Sequence, residues 1–170
     1  MTAWTDLTDY EVPQLMNAAG MVILKDNITY LLNPNIAQYH HPGTGGNYTV
    51  SGPLGVDIDA TNFSLSLTTY GGPVLACFYG NFSCPVASSM RIAIIYEDSL
   101  SHIGRNLYNS FDAELAYPAS ANGMPLGFMK VFKDLPAATY TFKAIWGVSG
   151  ADTATLYVAK KPYMIVREGV

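Results

Sequence analysis

Apolar and polar residues alternate along most of this chain with a period of two. The alternation is sharpest in Phe63-Ser64-Leu65-Ser66-Leu67-Thr68, where hydrophobic and hydroxyl side chains take strict turns. An extended backbone points successive side chains to opposite sides, so runs of this kind predict β-strands. Strands are expected at residues 48–51, 63–70, 74–79, 90–97, 107–111, 126–132, 139–146, 153–158 and 163–167, parted by clusters of Gly, Pro, Asn and Asp. Eight or nine strands in one stretch of chain suit a mainly β protein built as a jelly-roll β-sandwich. Residues 112–125, with Pro118, Asn122, Gly123 and Pro125, read as an exposed loop.

The first third follows another rhythm. Leu15, Met16, Ala19, Val22 and Ile23 recur at three- and four-residue spacing, and Pro13 suits the first turn of a helix. A helix is therefore expected from residue 13 to about residue 32, ended by Asn33-Pro34. His41-Pro42-Gly43-Thr44-Gly45-Gly46 then reads as a turn-rich connector. The organisation expected is a short N-terminal helical segment, residues 1–42, followed by a jelly-roll domain, residues 43–170.

Two closing strands carry apolar residues on both sides. Leu126, Phe128 and Phe132 share one face of their strand, while Met129 and Val131 lie on the other. Tyr140, Phe142, Ala144 and Trp146 share one face of theirs, with Thr141, Lys143 and Ile145 opposite. A core covers one face of a strand, so a second apolar face calls for another layer, from the same domain or from a neighbouring subunit. Composition strengthens that reading. Charged residues make up 13% of the chain and hydrophobic ones 49%, against a usual charged share of about 25%. A chain so poor in charge exposes large apolar patches unless copies cover one another.

The net charge of −4 is spread without a basic run, which argues against nucleic-acid binding. No apolar run approaches the roughly 20 residues of a membrane span, and no basic flank precedes an apolar segment at the N-terminus. The expectation is a soluble chain made in a cytoplasm, with neither membrane nor nucleic acid among its partners. On that reading the sequons at Asn27, Asn47, Asn62 and Asn81 are chance occurrences in an Asn- and Thr-rich β-protein.

Candidate chemistry is sparse. Cys77 and Cys84 flank a segment in which Gly80-Asn81 could turn a hairpin and bring the sulfurs together. Two buried free thiols are the alternative in a reducing cytoplasm. His40-His41 and the remote His102 match no zinc-ligand spacing with two Cys, so neither metal nor cofactor is expected. His102 stands beside Glu97, Asp98, Ser99 and Ser101, but neighbours along a turn rarely assemble a triad. Asp57 and Asp59 share one side of an extended segment, where a pair of acids is more often solvated, or loosely cation-binding, than catalytic. Residues 41–46 lack the Lys and the preceding strand of a phosphate loop. Tyr10, Tyr39, Tyr48, Tyr70, Tyr108 and Tyr117 suit sheet faces and subunit contacts better than a sugar-binding surface. The chain is not expected to be an enzyme.

Three stretches carry a resemblance. Trp4-Thr5-Asp6-Leu7, Leu15-Met16-Asn17 and Lys25-Asp26-Asn27-Ile28-Thr29-Tyr30-Leu31 resemble the opening of small tailed-bacteriophage virion proteins. Gly71-Gly72-Pro73-Val74-Leu75 is similar to a turn that recurs in them. Leu135-Pro136-Ala137-Ala138-Thr139-Tyr140-Thr141-Phe142, on through Trp146 and Gly150 to Val166-Arg167-Glu168, resembles their closing strands, whose domain is similar to the trimeric jelly roll of tumour necrosis factor and of complement-type heads. Ala138 and Tyr140 stand where Gly and His are usual, and the spacing from Asn17 to Asp26 is longer than in the family.

The resemblance implies a virion structural protein, a homotrimer that decorates the capsid or forms a head fibre, and that docks on the major capsid or another virion protein. Trp4, Leu7 and Tyr10 are the implied virion-anchor contacts, as aromatic and apolar residues on a short polar tail. The alternative is the receptor- or glycan-binding tip of a phage tail fibre, with a host-surface glycan as partner.

Overall fold

The computed structural model describes residues 35–52, 55–84, 88–97, 113–116, 123–149 and 152–169. The expected helix and the expected strand at 107–111 lie outside those residues. Eleven strands fall within them: β1 (Ile36–His40), β2 (Tyr48–Ser51), β3 (Val56–Asp57), β4 (Ser64–Thr68), β5 (Gly72–Ser83), β6 (Ser89–Glu97), β7 (Ala113–Ala116), β8 (Met124–Leu135), β9 (Thr139–Val148), β10 (Thr153–Leu156) and β11 (Tyr163–Glu168). A single 3₁₀ turn, Val158–Lys160, joins the last two.

Pairing among these strands defines a jelly roll. β1 pairs with β11, β4 with β9, β5 with β8 and β6 with β7, all antiparallel. That is one long hairpin of nested strand pairs. Folding it over brings β11 against β5 in one sheet and β9 against β6 in the other. The first sheet then holds β1, β11, β5 and β8, widened by β10 and β2; the second holds β4, β9, β6 and β7, widened by β3. Two antiparallel sheets, face to face, are the jelly-roll β-sandwich that the alternation predicts.

The core lies between the sheets and follows parity. In β5, Val74, Ala76, Phe78 and Phe82 point inward and are buried, while Leu75, Cys77, Tyr79 and Asn81 point outward and are partly exposed. Facing them, β9 buries Tyr140, Phe142, Ala144 and Trp146, and β6 buries Met90, Ile92 and Ile94. Aromatic pairs bridge the layers: Phe63 meets Phe78 edge-on at 5.2 Å, and Phe132 lies 5.3 Å from Phe142. Such pairs add about 0.5–1.5 kcal/mol each beyond the area they bury. Lys130 of β8 also turns inward, and its ammonium donates to the Ile94 carbonyl at 2.9 Å while lying 5.2 Å from the centre of the Phe132 ring. This contact ties β8 to the opposite sheet and fixes which of its sides faces out.

The structure corrects two readings. Gly80-Asn81 is not a hairpin turn, because β5 continues through it to Ser83 and Gly80 pairs with Leu126. A β-carbon on Gly80 would lie 2.6 Å from Leu156 Cδ1 and 3.0 Å from Phe82 Cε2, so glycine there leaves room for those two side chains in the core. Cys77 and Cys84 are accordingly free thiols, with Cys77 outward and partly exposed and Cys84 buried. Nor is the stretch 112–125 wholly loop: it contains β7 and the first residues of β8. Ile36–His40, for which the sequence predicts no strand, is a sheet strand paired with β11.

Candidate interaction surface

The outward side of the first sheet is assembled from four strands whose register sets its residues in rows. One row runs His40, Tyr163, Tyr79, Gly127; the next Gln38, Ile165, Cys77, Met129; the third Ile36, Arg167, Leu75, Val131. A sheet face turned to water normally carries polar side chains. Here Arg167 is the one charged residue in the three rows. Met129 is 73% exposed, Ile36 53% and Val131 43%, and these are three of the five exposed large hydrophobics among the described residues.

The second sheet behaves differently. Its outward residues Ala93, Ile95 and Ile145 form a small cluster of their own and are buried. Beside them the Lys143 ammonium pairs with Glu97 and lies 3.8 Å from the Asp57 carboxylate. The two-sided strands of the sequence thus have two outcomes. The second face of β9 is covered within the chain, and that of β8 stands open.

Within the open face, rings stack across the strands. His40 lies on Tyr163 at 5.3 Å with 25° between planes, and Tyr163 on Tyr79 at 5.4 Å with 20°. Neighbouring strands are about 4.8 Å apart, so each ring rests on the next nearly at contact. The ladder stops at Gly127, which has no ring to add. A groove of about 330 Å³ opens there, floored by Gly127 and Phe128 and walled by Cys77, Tyr79, Met129 and Tyr163. Burial pushes the Cys77 thiol up from its ordinary pKa. It is therefore held as a neutral, weakly polar wall rather than as a thiolate nucleophile.

Other sequence candidates are committed to holding the fold. Burial acts to raise the Asp59 pKa, but hydrogen bonds from the Tyr48 hydroxyl, the Asn62 N–H and side-chain amide, and the Thr61 N–H outweigh it and bring the pKa down to about 2. Tyr48 is raised to about 12, first by burial and then by its bond to Asp59. Asp59 therefore serves the turn after β3, apart from the ion pair of Asp57 with Lys143. His41 is buried, and its Nδ1 accepts from Gly43 N–H at 3.1 Å. Among the described residues no three His, Cys, Asp or Glu come together as metal ligands would. Tyr39 and Tyr48 pack on Phe63 at 5.2 and 6.0 Å. Trp4, Leu7, Tyr10, Tyr108, Tyr117 and His102 lie outside the described residues. Sequence reasoning passed over Tyr79 and Tyr163 and weighed His40 only as a metal ligand; their alignment in one row depends on register.

The protein is thus a jelly-roll sandwich with one open apolar sheet face. No family model and no curated protein matches the chain. Among solved structures it is similar to an Eiger tumour necrosis factor from S. frugiperda, at 12% identity over 81% of this chain and 94% of that one, with a TM-score of 0.46. It is also similar to a glycosylation-associated protein complex from Streptococcus agalactiae, at 11% identity over 79% of this chain and 26% of that one, with a TM-score of 0.30.

Proposed function

We propose that this protein is a non-enzymatic virion structural component of a tailed bacteriophage, a homotrimer made in the host cytoplasm that decorates the capsid or forms a head fibre. Its jelly roll assembles the trimer, and its N-terminal segment, through Trp4, Leu7 and Tyr10, docks it on the major capsid or another virion protein. The observation that carries the reading is the open apolar face, where Met129, Val131 and Ile36 stand in water. Burying a Met, Val or Ile side chain stabilises by about 1.5–3 kcal/mol, so a face with several of them favours association. The low charge of the whole chain acts in the same direction. The resemblance of both chain ends to small phage virion proteins supplies the biological setting.

Two measurements test it. Light scattering on the full chain at micromolar concentration is expected to give the mass of three chains; a single-chain mass overturns the assembly. Removing residues 1–12 is expected to leave the trimer intact while abolishing its incorporation into particles. Normal incorporation of the shortened chain would overturn the assignment of Trp4, Leu7 and Tyr10.

A further inference from the structure

We propose that Lys143 and Asp57 join unaided through an amide bond, with Glu97 carrying the protons, so that the folded chain acquires a covalent brace across its second sheet.

Register brings the three side chains together on the outward side of that sheet. β9 lies between β6 on one flank and β3 and β4 on the other. Ile95 of β6 stands opposite Lys143, with Glu97 two residues along the same side of its strand. Asp57 of β3 stands opposite Ile145, two residues along β9 in the other direction. Lys143 therefore has an acid diagonally across from it on each neighbouring strand, within reach of a long side chain. Its nitrogen lies 2.5 Å from a Glu97 oxygen and 3.8 Å from an Asp57 oxygen.

Those two distances give the acids different parts. Glu97 is within proton-transfer reach of the nitrogen. Asp57 is too far from it for a hydrogen bond, yet a small side-chain rotation brings its carboxyl group to the roughly 3–3.5 Å from which reacting atoms attack. The side chains of Lys143 and Asp57 are 17% exposed and that of Glu97 16%, and the buried outward cluster of Ala93, Ile95 and Ile145 borders them. A site so largely closed to water also protects the product from hydrolysis.

The reaction needs nothing from outside. Lys143 passes one proton through Glu97 to the Asp57 carboxylate, and the freed amine attacks Asp57 Cγ. The Nζ–Cγ bond forms, Glu97 takes a second proton from the nitrogen and delivers it to the departing hydroxyl, and the Cγ–O bond breaks. One oxygen of Asp57 and two hydrogens of Lys143 leave as water, and Glu97 ends as it began. In open solution water reverses such a condensation, but partners fixed by one fold meet at an effective concentration of about 10⁵ M or more. What the bond secures is β3, a two-residue strand held to β9 by the pairs Val56–Trp146 and Asp57–Ile145.

The test is the intact mass of the full chain, measured after unfolding. Protein that has folded is expected to weigh one water less than its sequence, and trypsin is expected to spare Lys143 and leave its peptide joined to the one that holds Asp57. Chain taken straight into denaturant keeps its full mass, because the reaction needs the fold. Lys143→Arg, which preserves the ion pair, and Asp57→Ala also keep full mass. Asp57→Asn, whose leaving group is ammonia, is expected to weigh one ammonia less than its own sequence and to give the same branched peptide. Glu97→Gln, similar in shape but unable to relay protons, is expected to react about a hundredfold more slowly or worse. A folded parent of full sequence mass overturns the proposal, as does a one-water deficit without the branched peptide, which marks a cyclised aspartate. A Glu97→Gln variant that reacts at the parent's rate overturns the part given to Glu97. The masses are the same for a single chain and for a trimer, so the outcome is separate from that of the assembly.

Discussion

The fully buried side chain of Glu168 accepts a hydrogen bond from the Tyr70 N–H at 2.7 Å, and its second oxygen accepts from the Asn35 amide at 3.3 Å. Asn35 also donates to the Thr68 carbonyl, and its own carbonyl accepts from the Glu168 N–H. One acid therefore pins the end of β11 to the start of β1 and to the turn after β4. Glu168→Ala leaves the part-buried Tyr70 N–H without its acceptor and empties the site of a buried side chain, and a loss of about 1–3 kcal/mol is expected by urea denaturation. Glu168→Gln keeps one acceptor and should lose about half as much. Equal stability of the parent and the Ala variant would show that the clamp contributes nothing.

Asp59 and Tyr48 set the pH range of the fold. In the folded chain Asp59 binds its proton more weakly than its ordinary value of 3.8 allows, with a pKa of about 2. Its contribution is therefore complete above pH 4 and is lost as pH falls toward 2. Tyr48 has the opposite sign: raised from 10.0 to about 12, it contributes below pH 10 and loses that contribution as pH rises toward 12. Partial exposure of the pair keeps each contribution on the order of 1 kcal/mol. Asp59→Asn is expected to flatten the acid limb of a stability-against-pH curve and to leave Tyr48 titrating nearer its ordinary value. An acid limb unchanged by the substitution would assign it to other carboxylates.

Two glycines of adjacent strands should respond to alanine to different degrees. Gly80→Ala drives a methyl to 2.6 Å from Leu156 Cδ1 and 3.0 Å from Phe82 Cε2 inside the core. Overpacking of that kind destabilises by about 1–3 kcal/mol. Gly127→Ala puts its methyl on the open face 3.3 Å from the edge of the Tyr79 ring, which is free on that side to give by a few tenths of an ångström, and the single-chain form should lose less than about 1 kcal/mol. Thermal melts of the two variants at low concentration separate the cases.

The thiols should report separately as well. Cys84 is buried, with its Sγ donating to the Ser88 carbonyl at 3.4 Å, whereas Cys77 borders the open groove. At alkaline pH, where the thiolate forms, a thiol reagent is expected to label the partly exposed Cys77 in the folded chain and to reach the buried Cys84 only after unfolding. Labelling of neither residue under denaturing, non-reducing conditions would mean that the sulfurs are joined.

Strict alternation made much of this architecture legible. Phe63-Ser64-Leu65-Ser66-Leu67-Thr68 declares β4, and each of its apolar residues is buried. Strands such as β6, β9 and β11 lie close to where their patterns predict. β1 escaped notice because Ile36-Ala37-Gln38-Tyr39-His40 is short and follows a helical rhythm. The length of β5 was hidden by Gly80-Asn81, a turn signal by composition, whose glycine answers instead to Leu156 on another strand. The open face was half visible. Parity gives Met129 and Val131 an outward direction, but parity does not tell whether the covering layer comes from the same chain, as it does over Ile145. Nor can it align His40, Tyr163 and Tyr79, because a row across three strands exists only once register is set.

The nesting of strand pairs bears on how the protein comes into being. Ile36 finds its partner in Arg167, and the inner pairs close within the span between them. Contacts so distant along the chain form slowly, since a large loop must be closed before any of them contributes. During synthesis the outermost ladder waits for the last strand to leave the ribosome. Until then β5 and β8 offer their edges and greasy residues to any passing chain, so the yield on expression should depend on chaperones and on temperature more than the stability of the finished sandwich would suggest.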